Sequence, residues 1–97
     1  MADIDGQLRM ELDRAAKARQ IMEDSTVKAS FDQLEKELFE AMLATSADDA
    51  SRREKIHMML VFGRKWKNLF ETMIETGKLA QLQLEQKRKL NLWSRHG

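Results

Sequence analysis

The chain has no cysteine, no proline and no tyrosine, and only four glycines. Without cysteine there is neither a disulfide staple nor a thiolate metal site. Without proline, no residue forces a helix to kink or stop. Strand formers are scarce, with Val27 and Val61 the only valines. No long apolar run exists: Met58 to Phe62 is the longest, at five residues. A membrane span needs about 20. The opening MADIDGQ is acidic and has no apolar core, so it does not read as a secretory signal. The chain is therefore expected to act in the cytoplasm, away from membranes.

What is present is helix-forming. Alanine, leucine, methionine, glutamate, glutamine, lysine and arginine dominate, and these lose little side-chain entropy in a helix. The 97 residues suit one domain. The expected fold is all-α: a three- or four-helix bundle, or a long helical hairpin with a C-terminal helical arm.

The net charge of +1 hides an uneven distribution. Residues 1–51 carry six basic and twelve acidic side chains, a balance of −6. Residues 52–77 carry six and three, or +3, and residues 78–97 carry five and one, or +4. Either an acidic helical half packs on a basic one, or the basic end meets an acidic partner such as nucleic acid.

Apolar spacing sets the helices. Ile4, Leu8, Leu12, Ala15, Ala16 and Met22 recur every three or four residues, which predicts a helix over 5–23. Val27, Phe31, Leu34, Leu38, Ala41 and Met42 continue the pattern over 27–44. Asp24, Ser25 and Thr26 between them are capping residues. Two helices are expected there, although one long kinked helix over 5–44 also fits. Ser46 and Asp49 in TSADDA make a capping box that starts a third helix near residue 47 and carries it to 76.

In that helix RKWKNLF, residues 64–70, sets three basic residues around a tryptophan. At about 100° per residue, Met59, Phe62, Gly63, Leu69, Phe70 and Met73 cluster around Trp66, while Arg64, Lys65 and Lys67 fall on the flanks and back. A nucleic-acid patch needs its charges on one face, so the expectation is a core tryptophan with solvated neighbours. Gly63 on the same stripe is expected to allow close helix contact. Met58, Met59 and Met73 either fill gaps in the core or give a plastic binding surface.

Gly77 changes the phase. Leu79, Leu82, Gln86, Leu90 and Trp93 lie about half a turn from the Trp66 stripe. Either Gly77 ends the helix and a fourth runs over 78–93, or the helix continues and shows a second apolar face. Phe39 and Leu43 likewise point away from the Leu34 and Leu38 stripe. These two leftover faces either cover each other or form a partner-binding surface.

Little points to chemistry. His57 has no second metal ligand four residues on, and Glu71 and Glu75 lack the Glu-x-x-His partners of a di-iron bundle. No glycine-rich phosphate loop or nucleophile elbow occurs. The chain is expected to be no enzyme, with no cofactor, no metal and no small-molecule substrate. Lys78, Lys87, Arg88, Lys89 and Arg95, beside Trp93, are the candidates for nucleic-acid contact.

At ATSADDASRREKIHMML and again at ETGKLAQLQLEQK the chain resembles a loose group of small all-helical proteins encoded by tailed phages and prophages. The resemblance covers roughly residues 10–90 and implies a phage origin. It carries over no functional residue. The expectation is an interaction protein that self-associates as a homo-oligomer or binds a protein partner, as a virion or assembly component or an inhibitor of a host machine. The alternative is a nucleic-acid-binding accessory protein.

Overall fold

The structure is a computed structural model and describes residues 4–96, with side chains to residue 93. Among the described residues every regular element is helical: α1 (Ile4–Glu23), α2 (Ser25–Ala44) and α3 (Ala50–His96). The fold is all-α with a long C-terminal helix, as the composition requires.

A single residue separates α1 from α2. Asp24 leaves the helical region at φ −63° and ψ 125°. Its carboxylate accepts from the amides of Thr26 at 2.9 Å and Val27 at 3.0 Å. These N–H groups open the new helix and would otherwise lack partners. The capping signal over 24–26 thus acts at its first residue, and α2 starts at Ser25 rather than 27.

α2 stops at Thr45, whose amide donates to the Met42 carbonyl and whose hydroxyl donates to the Ala41 carbonyl at 2.6 Å. The hydroxyl of Ser46 accepts only from Asp48, at 3.4 Å. Asp49 takes the capping role, accepting from the Arg52 amide at 3.1 Å. α3 therefore begins at Ala50, three residues later than the Ser46 capping box predicts.

Of the two readings of Gly77, the continuous helix is the one found. α3 runs 47 residues through it, and no glycine among the described residues has a positive φ. There is no separate helix over 78–93. Gly77 serves a packing purpose instead. A Cβ there would collide with Ala15 Cβ and sit 3.4 Å from the Glu11 carbonyl oxygen.

Two compact units share α3. One joins α1 through Gln20 to α3 from Phe70 onward, and the other is Ile21–Leu69. In the first, α1 lies antiparallel to α3: Asp5 pairs with Lys87 at 2.8 Å, and Ala15 meets Gly77. Ala15, Ala18, Gly77 and Ala80 are all buried, so small residues bring the two backbones close together. In the second, α2 lies antiparallel to α3, with Phe31 and Trp66 ring centroids 5.5 Å apart and Glu35 pairing with Arg64 at 3.3 Å. Leu38 and Ile56 are the buried side chains there.

Along α3 one column of every seventh residue is covered throughout: Ile56, Gly63, Phe70, Gly77 and Leu84 are buried or half-buried. Such a seven-residue column belongs to coiled-coil packing. Its companion column changes. Before Phe70 the covered companions stand three residues earlier, at Arg53 and Leu60. After it they stand three residues later, at Met73 and Ala80.

That change corrects the Trp66 stripe. Trp66 is 51% exposed and touches α2 from one side, through Phe31. Met59, Phe62 and Leu69 are exposed with it, Phe62 at 73%. Before Phe70 the stripe expected in the core is therefore mostly on the surface, while Phe70, Met73 and Ile74 are half-buried. Gly63 is also not the close-contact glycine, since a Cβ there would meet nothing within 4 Å.

Candidate interaction surfaces

The C-terminal half of α3 has two apolar faces. One carries Phe70, Met73, Gly77, Ala80 and Leu84, covered or partly covered. The other carries Leu79, Leu82, Gln86, Leu90 and Trp93, all exposed, with Trp93 at 79%. The spacing is three, four, four and three residues, which keeps all five on one side of a straight helix. The half-turn change at Gly77 is thus a second face of one helix. Leu79 also joins Ile4, Leu8, Thr76 and Ala80 in an open depression of about 300 Å³.

On α2, Phe39 and Leu43 are exposed, Leu43 at 86%. The C-terminal face is exposed along its length as well. Both remain as surface. Their charged neighbours are ordinary helix-surface groups.

The basic candidates are partly engaged within the chain. Lys78 pairs with Glu75 at 3.0 Å and Lys87 with Asp5 at 2.8 Å. Arg88 and Lys89 are exposed. Adjacent helical residues point about 100° apart, so these two do not share a face. The side chain of Arg95 lies outside the described residues.

No three His, Cys, Asp or Glu side chains gather to hold a metal among the described residues. No side-chain N or O atom among them is buried without a hydrogen bond. Nor is any described helix long and apolar enough to cross a membrane. His57 is exposed on α3. The molecule's distinctive surfaces are apolar ones. Six hydrophobic side chains are buried among the described residues, against seventeen large ones exposed. Sequence reasoning placed Phe62 and Leu69 in the core and left Met58 and Met59 as either core or surface; all four are exposed. Apolarity misleads here, because the covered row, Arg53, Ile56, Leu60 and Gly63, is the less apolar of the two.

No family model, no curated protein and no solved structure matches the chain.

Proposed function

We propose that this chain is a non-enzymatic helical module that binds another protein through the exposed face of Leu79, Leu82, Gln86, Leu90 and Trp93. The observation that carries the reading is a helix with one apolar face already covered by α1 and a second left exposed. An exposed apolar stripe costs solubility unless something covers it, and such patches mark interaction sites. Leucines in helical phase with an aromatic end suit a groove-and-helix contact, and the tryptophan is the natural anchor. Phe39 and Leu43 offer a smaller second contact. In the phage setting that the resemblance implies, the module would act in the host cytoplasm, in assembly or against a host machine.

Point variants test this better than truncation. Removing the chain after Gly77 would also remove Ala80 and Leu84, which pack on the α1 side. Leu82→Asp combined with Trp93→Asp changes only exposed positions. The variant should keep its helicity and lose a protein that the native chain retains from bacterial extract. Retention of the same protein by the variant would sink the proposal. The nucleic-acid alternative predicts tight duplex binding at about 50 mM salt that falls steeply by about 200 mM. The pairing of Lys78 and Lys87 within the chain argues against it.

A further inference from the structure

In residues 50–69 the more apolar face of α3 is the one α2 does not cover. On the α2 side Ile56 is buried and Arg53 and Leu60 are half-buried, while Met58, Met59, Phe62, Trp66 and Leu69 are exposed. This reverses the usual order for a helical pair. Helix phase shows which edge of the pair this face belongs to. The Glu35–Arg64 ion pair bridges one edge. Leu34 lies on the opposite side of α2 from Glu35, and Met59 and Trp66 lie on the opposite side of α3 from Arg64. Leu34, itself exposed, therefore sits on the same edge as Met59 and Trp66. One apolar face thus spans both helices.

Its rims differ in charge. Beyond Leu34, α2 continues with exposed Glu37 and Glu40. Beyond Phe62, α3 continues with exposed Lys65, and exposed Lys55 stands between Met59 and Phe62 in helix phase. Neither lysine forms an ion pair among the described residues. An acidic rim, an apolar centre and a basic rim make a surface complementary to itself once turned over.

We propose that Ile21–Leu69 pairs with the same segment of a second copy through this face, the acid-rimmed α2 of each copy lying on the basic-rimmed α3 of the other. A two-fold axis along the helices produces that arrangement and closes a four-helix bundle. The perpendicular axis would set α2 on α2 and α3 on α3, bringing like rims together. The segment has 49 residues (69 − 21 + 1) and no cysteine. Leu38 and Ile56 are its buried side chains, and a second copy on the exposed apolar face would enlarge that small core. This surface is separate from the partner-binding face at residues 79–93, so the two proposals stand or fall independently.

Light-scattering mass of the full chain over a concentration series tests it, with circular dichroism confirming that each variant is helical. The native chain should reach twice its 11.3 kDa mass. Phe62→Ser with Leu69→Ser should return it to the single-chain mass. Glu37→Lys with Glu40→Lys, and separately Lys55→Glu with Lys65→Glu, should each be single-chain at concentrations where the native chain is paired. Mixing these two charge variants should restore the double mass, since each then offers the other a complementary rim. Native chain that stays single at every concentration overturns the proposal. So do charge variants that pair as well as the native chain, because like-on-like packing would leave them unaffected. Pairing that survives Phe62→Ser with Leu69→Ser but is lost in Leu82→Asp with Trp93→Asp also overturns it and places the contact at the C-terminal face. A charge variant that fails to fold leaves the Phe62 and Leu69 variant to decide.

Discussion

Gly63 and Gly77 occupy the same column of one helix and do opposite things. A Cβ at Gly77 would collide with Ala15 Cβ, which cannot rotate away, so either α1 or α3 must shift. Gly77→Ala is therefore expected to lower stability by about 1–3 kcal/mol, the usual cost of overpacking. At Gly63 the added methyl meets nothing within 4 Å. Gly63→Ala should raise stability by about 0.5–1 kcal/mol, because alanine has less backbone entropy to lose in a helix. Thermal unfolding of the two single variants checks both signs at once. The sequence alone chose the wrong glycine. Both stand at stripe positions, and only the neighbouring helix distinguishes them. Asp49→Ala should cost about 1 kcal/mol, since it removes the acceptor for the Arg52 amide at the start of α3.

At the scale of the element, the break at residues 24–26 was readable and the phase of α3 was not. Asp24 opens α2 because its carboxylate meets amides that the helix start leaves over, and the Asp-Ser-Thr run stands out in the sequence; at the start of α3 the capping side chain is that of Asp49, not Ser46. The covered face of α3 depends on what lies beside it. A seven-residue column drifts about 20° per heptad against a straight 3.6-residue helix, and here its companion column changes sides near Phe70. A single fixed phase centred on Trp66 therefore assigns Phe62 and Leu69 to the interior. The exposed face at Leu79, Leu82, Gln86, Leu90 and Trp93 was legible because it is opposite the covered one and made of large residues. The near side of Trp66 was harder to read, since apolarity alone favours the uncovered row.

For the whole molecule, two compact units drawing on one helix make a local defect informative. Gly77→Leu should strip amide-exchange protection from α1 while leaving α2, whose packing partners are residues 50–69, protected. Equal loss in both helices would show that the units open together. If residues 21–69 pair between copies, the unfolding temperature should also rise with protein concentration, because association stabilises by mass action. High salt should lower it again, since the rims attract through exposed charges. The asymmetry visible in the sequence, −6 over residues 1–51 and +7 over the rest (+3 and +4), fits ion pairs of α1 or α2 with α3 such as Asp5–Lys87 and Glu35–Arg64.

The Gly77 and Ala15 contact also fixes alignment. Antiparallel helices with seven-residue columns can slide by one repeat and still match apolar rows, so the rows alone leave the register degenerate. Here a slip of seven would set Ala15 opposite Phe70 or Leu84 and leave Gly77 facing Leu8 or Met22. The glycine is a notch that only the small Ala15 can enter, and the Asp5–Lys87 pair ten residues along each helix would break with any slip. The residue with no side chain therefore excludes the misaligned pairings and gives α1 one place to dock.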